Sequence, residues 1–97
     1  MTRMLSTPAP AVTLTVRYFA GAKAAAGTRS ESVALGAGAT VADLVDALVD
    51  AHGGDAGPLA RVLAASSLLL DETAVHDRAQ VLPEAATVDV LPPFAGG

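Results

Sequence analysis

The sequence predicts an α+β domain in which one main helix packs against one face of a mixed sheet of four to five strands. Three observations support this prediction. A segment in which apolar and polar residues strictly alternate comes first. A segment with apolar residues at helical spacing lies in the middle of the chain, and strand-like segments follow it. A lone helix laid across one face of a small sheet accommodates this order of elements.

The first strand is predicted over residues 12–19, because apolar and polar residues alternate there with a period of two. Val12, Leu14, Val16 and Tyr18 fall on one face, and Thr13, Thr15 and Arg17 fall on the other. Residues 20–27 are predicted to form one or two helical turns that Gly27 ends. A second strand follows over residues 31–36, in which Val33 and Leu35 occupy alternate positions.

The main helix is predicted to begin after Thr40. The Thr40 side chain and Asp43, three residues later, match a capping box. A buried stripe follows at the spacing of one helix face: Val41, Leu44, Val45, Leu48 and Val49. Asp43, Asp46 and Asp50 fall on the opposite side, which is typical of a solvated face rather than of an acidic catalytic set. The helix is predicted to end at His52, where Gly53 and Gly54 follow.

Pro58 suits the first position of a second, short helix that buries Leu59, Val62 and Leu63. Strands are then predicted over residues 67–71, 73–76 and 87–91. Pairing of the first and last strands in the middle of the sheet would give a β-grasp arrangement. Because Leu68, Leu69 and Leu70 are consecutive, at least one must point away from the core. Alternation along the last strand likewise lets Leu91 point outward. Leu69 and Leu91 are therefore candidates for an apolar patch that binds a protein partner, although scattered surface leucines are equally common.

Composition excludes several classes of function. The 97 residues suffice for one domain. The formal net charge is −4 and the six basic residues are scattered, whereas nucleic-acid binding requires clustered Lys and Arg. The chain has no cysteine, which excludes disulfides and thiolate nucleophiles. His52 and His76 are far apart and lack the spacing of zinc ligands, so no metal site is expected.

The sequence is predicted to form one folded domain flanked by two short terminal segments. Residues 1–11 are predicted to form a flexible N-terminal leader, residues 12–91 the folded domain, and residues 92–97 an extended tail. The leader lacks the apolar run of a secretory signal. No stretch approaches the roughly 18 apolar residues of a membrane span. We therefore expect no membrane association and a cytoplasmic location.

The tail carries the chemistry. Pro92 and Pro93 follow the last strand directly, cannot extend a sheet ladder, and favour an extended exit from the domain. Phe94 suits a pocket on another protein. Ala95, Gly96 and Gly97 are nearly bare backbone, so this segment can thread a narrow channel and deliver the Gly97 carboxylate to a distant active site. A frayed, incidental end is the alternative, but a compositional estimate gives a chance Gly-Gly pair only about 1% probability.

Three segments carry a family resemblance: Val16–Ala20 on the first strand, Ala39–Leu44 at the start of the main helix, and Val90–Gly97 at the end. With these segments the chain resembles the MoaD/ThiS family of ubiquitin-like sulfur carriers, and it is most similar to the small subunits of molybdopterin synthase. The resemblance covers about residues 12–97. The sequence departs from the family at the N-terminal leader and at residues 83–86, where relatives usually carry an Asp-Gly-Asp turn.

The resemblance implies a reaction cycle. A ubiquitin-activating-enzyme-like adenylyltransferase would use ATP to adenylate the Gly97 carboxylate, and a sulfur donor protein would convert it to a thiocarboxylate. The tail would then enter the large subunit of molybdopterin synthase, where sulfur passes to cyclic pyranopterin monophosphate. The carrier would bind no cofactor and would use no side chain in catalysis, because the groups for orientation and proton transfer would belong to the partners.

Three alternatives remain open at this point. The chain is also consistent with a sulfur carrier for cysteine, thiamine or tRNA thiolation. It is consistent with a ubiquitin-like modifier whose Gly97 forms isopeptide bonds with lysines. Finally, a β-grasp interaction module with an incidental tail would show the same strands and helices.

Overall fold

The fold was analysed in a computed structural model, which describes residues 11–93. The elements in chain order are β1 (Ala11–Tyr18), α1 (Gly21–Ala26), β2 (Ser30–Gly36), α2 (Val41–Ala51), α3 (Pro58–Ala65), β3 (Ser67–Leu70), β4 (Thr73–Ala74) and β5 (Thr87–Leu91). A 3₁₀ turn over Gly54–Ala56 joins α2 to α3. The predicted leader over residues 1–11 lies outside the described residues except for Ala11, which begins β1.

The five strands form one mixed sheet in the order β2-β1-β5-β3-β4. The first and last strands pair in parallel at its centre, and the other neighbours are antiparallel. This confirms the α+β prediction and its central pairing of β1 with β5. The strand ends differ slightly from the prediction. β3 stops at Leu70, because the chain turns at Asp71–Glu72 with positive φ at both residues, and β4 covers only Thr73–Ala74.

One face of the sheet forms the core. Alternate residues of β1 are buried against the helices, including Leu14, Val16 and Tyr18. From α2 the buried side chains are Val41, Leu44 and Leu48, and from α3 they are Leu59 and Leu63. Val45, Val49 and Val62, which were predicted to be buried, pack at the margin and are only partly covered. Three helices therefore cover one face of the sheet, with α2 the longest.

The start of α2 matches its prediction closely. The backbone N–H of Asp43 donates to the Thr40 hydroxyl at 3.2 Å, and the backbone N–H of Thr40 donates to the Asp43 carboxylate at 2.9 Å. These two bonds satisfy two N–H groups that an uncapped helix end would leave open. At the other end of α2, Gly53 has φ 100°, a conformation that glycine adopts at little cost.

A partly buried polar network ties β1 and β2 to the end of α2. The Tyr18 hydroxyl donates to Glu31 at 2.6 Å, and His52 Nε2 lies 2.6 Å from the same Glu31 oxygen. The Tyr18 and His52 rings meet edge to face with centroids 6.1 Å apart. Burial, followed by the hydrogen bond to Glu31 and the negative charge of Glu31, raises the pKa of Tyr18.

We expect Tyr18 to make the stability of the fold fall at alkaline pH. A tyrosine whose pKa is higher in the folded chain stabilises that state fully below its unfolded pKa of about 10, and this contribution is lost as the pH rises further. Tyr18 is the one tyrosine of the sequence, so the ultraviolet absorbance of tyrosinate reports its titration directly. The folded chain should titrate at a higher pH than the chain in denaturant, and Tyr18→Phe should lose less stability above about pH 10. Identical titration curves for the folded and the denatured chain would contradict this.

Candidate functional site

The base of the tail lies at one edge of the sheet. Because β1 and β5 are parallel, both end at this edge, and the backbone N–H of Phe19 donates to the Val90 carbonyl at 3.2 Å. Leu91 is the last residue of β5 and pairs with Ser67 at the start of β3. Pro92 is half-buried and Pro93 is exposed. Since proline has no N–H to continue the ladder, the sheet ends where the tail begins.

Four predicted site residues, Phe94, Ala95, Gly96 and Gly97, lie outside the described residues. Their roles therefore stay predictions, as do the partner-binding roles assigned to Leu69, Leu91, Pro92 and Pro93. The structure does bring Leu69 and Leu91 to the same face of the sheet, since β3 and β5 are neighbours.

The face of the sheet opposite the helices, termed the open face here, carries mostly small side chains. The register places the following residues on it: Thr13, Thr15, Ser30, Ser32, Ala34, Ser67, Ala74 and Thr87. Leu69 and Leu91 lie among them and are each half-buried. Phe19 stands at the edge with 39% of its surface exposed. The open face thus combines an apolar strip near the tail with a flat surface of small residues.

An ion pair occupies the centre of the open face. Arg17 and Asp89 lie side by side on β1 and β5, with Nε to Oδ1 at 2.6 Å and Nη2 to Oδ2 at 2.8 Å. This bidentate geometry is the strong form of an arginine–carboxylate pair. The hydrogen bonds to Asp89 and the charge of Asp89 raise the pKa of Arg17. Asp89 points away from the helices but is only 5% exposed, because Arg17 covers it.

Arg17→Met should destabilise the fold, because it leaves the covered Asp89 carboxylate without its hydrogen-bond donors. Half of the Arg17 side chain is in contact with water, which keeps the expected loss below that of a fully buried pair. The double variant Arg17→Met/Asp89→Leu should regain most of the loss, since it removes both charges. Urea unfolding of the two variants and the unmodified chain measures these free energies of unfolding. An unchanged free energy of unfolding in Arg17→Met would mean that the pair contributes nothing.

Within residues 11–93, no group of three or more His, Cys, Asp or Glu side chains is placed to hold a metal ion. His52 is occupied by Glu31, and His76 is an exposed loop residue. In the same range, every helix is too short or too polar to cross a bilayer.

Comparison with known proteins gives the family. The sequence model of the ThiS family matches residues 16–97. The matched range includes the entire tail and the whole sheet except the start of β1. The chain belongs to the ThiS family. This is the family that the three sequence segments predicted, and its members are ubiquitin-like sulfur carriers and modifiers. A comparison with curated proteins gave no match.

Solved structures show the same fold. The ThiS-family chain is similar to small archaeal modifier protein SAMP1 of Haloferax volcanii, with a TM-score of 0.74 and 26% identity over 88% of this chain and 99% of that one. A putative molybdopterin converting factor subunit 1 of Pyrococcus furiosus aligns with a TM-score of 0.69 and 21% identity, over 86% of this chain and 99% of that one. These matches confirm the ubiquitin-like β-grasp fold.

One matched structure contains a partner. It is a complex of subunits 1 and 2 of the molybdopterin-converting factor of Helicobacter pylori. The matched chain of this complex aligns with a TM-score of 0.60 and 20% identity, over 89% of this chain and 100% of that one. At this identity the match to the ThiS-family chain is a match of fold.

Proposed function

We propose that this ThiS-family chain carries sulfur as a thiocarboxylate on the Gly97 carboxyl group and serves as the small subunit of molybdopterin synthase. The observation that carries the proposal is the junction between sheet and tail. Central strand β5 runs directly into Pro92 and Pro93 at the edge of the open face, and the sequence continues to Gly96 and Gly97. A terminal carboxyl group at the end of such a segment can be reached by another protein's active site while the sheet docks beside it.

The chemistry of the chain agrees with a carrier. The reactive group in this proposal is the Gly97 carboxylate, which needs no side chain of the carrier but is, as a carboxylate, a poor electrophile. In the proposed cycle its oxygen attacks the α-phosphorus of ATP on a ubiquitin-activating-enzyme-like adenylyltransferase, and pyrophosphate leaves. Sulfide (HS⁻) released by a donor protein attacks the acyl carbon of this adenylate and AMP leaves, which gives the thiocarboxylate and a proton.

The receiving partner is proposed to be the large subunit of molybdopterin synthase. There the thiocarboxylate sulfur attacks a carbon of cyclic pyranopterin monophosphate as a carbon–oxygen bond of that substrate breaks, and water then hydrolyses the acyl–sulfur link and returns the Gly97 carboxylate. Two such transfers form the dithiolene. The apolar strip of Leu69, Leu91 and Phe19 beside the tail supports docking on the open face. The fold similarity to subunit 1 of a known complex of two subunits supports the same arrangement. Since activation consumes ATP, the proposed cycle runs in the cytoplasm.

A second candidate function is conjugation to other proteins. It is favoured by the similarity to an archaeal modifier protein, because that match has the highest sequence identity of the three structural matches described above. In that case the Gly97 acyl group would pass to a lysine amine as an isopeptide bond. Carriers for cysteine, thiamine or tRNA thiolation share the activation steps and differ only in the protein that accepts the tail.

Reconstitution distinguishes these readings. The thiocarboxylated chain is incubated with the large subunit of molybdopterin synthase and cyclic pyranopterin monophosphate. We expect molybdopterin to form with two carriers consumed for each dithiolene, and the unthiolated chain is the matched control. Absence of product with this large subunit, together with branched lysine adducts in a lysate supplied with ATP, would assign the chain to protein modification.

A further inference from the structure

A pocket of about 340 Å³ lies at the edge of the sheet where β1 ends and β2 begins. Phe19 and Ala20 give it an apolar wall. Three cationic side chains from different elements line it: Arg17 from β1, Lys23 from α1 and Arg29 from the loop before β2. These are three of the six Lys and Arg residues of the sequence. Residues scattered along the chain are therefore gathered in one place by the fold.

The positive charge of this pocket is only partly neutralised. Asp89 pairs with Arg17. Lys23 and Arg29 are exposed, and among residues 11–93 neither has a carboxylate within ion-pair distance. The whole chain carries a net charge of −4. A local positive site on an acidic protein attracts an acidic partner to that one place and fixes its orientation.

The pocket also flanks the base of the tail. Phe19, which forms its wall, is hydrogen-bonded through its backbone to Val90, next to the last residue of β5. Ala20 adopts φ 50° and ψ −127°, a conformation that costs energy for any residue with a Cβ. Strained residues of this kind concentrate at functional sites. A protein that receives the tail must pass within reach of this pocket.

We propose that the pocket binds an acidic segment of the protein that receives the tail, with carboxylates meeting Lys23 and Arg29 and an apolar side chain packing on Phe19. The identity of that protein rests on the proposed function, but the preference for an acidic peptide does not. A peptide fits better than a nucleotide phosphate, because the cations lie on three elements around an apolar wall. Many nucleotide phosphate sites instead use converging backbone N–H groups.

The first test uses peptide probes on the full chain. A blocked hexapeptide of alternating aspartate and leucine is titrated into isotopically labelled protein, and the same peptide with asparagine for aspartate is its control. The aspartate peptide should shift the amide signals of Phe19, Ala20, Lys23 and Ser30, and added salt should weaken the shifts. The asparagine peptide should leave them unchanged. Equal shifts with both peptides, shifts elsewhere on the domain, or shifts of the same amides by AMP at lower concentration would overturn the proposal.

The second test uses charge reversal in the transfer of sulfur from the thiocarboxylated chain to cyclic pyranopterin monophosphate on the large subunit. Lys23→Glu and Arg29→Glu are compared with Arg61→Glu, which makes the same change of charge at an exposed position on α3 outside the pocket. Each pocket variant should raise the KM for the carrier about tenfold with little change in kcat, since attraction becomes repulsion. Arg61→Glu should stay close to the unmodified chain. Equal effects of all three would overturn the proposal.

The two proposals fail separately. A chain that binds the aspartate peptide but never acquires sulfur would disprove the carrier function and leave the pocket standing. A chain that acquires sulfur normally while Lys23→Glu behaves like Arg61→Glu would disprove the docking pocket and leave the carrier function standing.

Discussion

A chain extended by one residue beyond Gly97 is expected to form no thiocarboxylate on Gly97, while its free energy of unfolding changes by less than about 0.5 kcal/mol. The extension converts the Gly97 carboxyl group into an amide and places a different terminus where the activating enzyme expects glycine. Nothing in the sheet or helices is altered, because the sheet ends at Leu91. Mass spectrometry of the C-terminal peptide after the activation reaction measures the loss, and urea unfolding measures the stability.

A branched side chain in the tail should have a similar effect. In Gly96→Val the terminal carboxylate is kept, but the valine adds bulk to a segment that must thread a narrow channel. Gly36→Val is the matched control, since Gly36 is exposed at the end of β2 and a Cβ there would meet nothing within 4 Å. Normal sulfur transfer by Gly96→Val would contradict threading, and equal loss in both variants would point to a general effect of the substitution.

The opposite pattern is expected in the core. Leu48 is 1% exposed in the middle of α2, and Leu48→Ala should lower the free energy of unfolding by about 2–5 kcal/mol through lost burial and the cavity it leaves. Leu48→Met keeps the volume and should cost less than about 1.5 kcal/mol. Both are measured by urea unfolding.

These core variants should remain competent in the chemistry. At a temperature where Leu48→Ala is still folded, its Gly97 carboxylate should accept sulfur at close to the normal rate, because Leu48 lies in the core under the helices and away from the open face. A large loss of activity in the folded Leu48→Ala protein would mean that the core and the tail are coupled.

Local patterns predicted most of the fold. The alternation of β1, the capping box at Thr40 and the stripe of α2 each depend on residues within a few positions of one another, and the structure confirms them. The connection over residues 75–86 was less well predicted. Leu82 and Ala86 from this segment are buried in the core, although no periodic pattern marks them, because the segment is irregular and its burial depends on where distant elements lie.

The site divides in the same way. The tail is a contiguous motif, so its sequence alone suggested the chemistry. The Arg17–Asp89 pair and the pocket of Lys23 and Arg29 depend on which strands become neighbours. Arg17 and Asp89 are 72 positions apart, and only the parallel pairing of β1 with β5 brings them together. The only signal in the sequence was that both residues face outward on the first and last strands. Which charges lie side by side on two parallel strands cannot be predicted until the register of those strands is known.

The central claim is that the Gly97 carboxyl group is charged with sulfur. The most direct measurement is the intact mass of the chain after incubation with ATP, an activating enzyme and a sulfide source. We expect a gain of about 16 Da, the difference between sulfur and oxygen, confined to the C-terminal peptide and dependent on ATP. An unchanged mass while that enzyme charges its own carrier, or the same gain on an internal peptide, would contradict the carrier function.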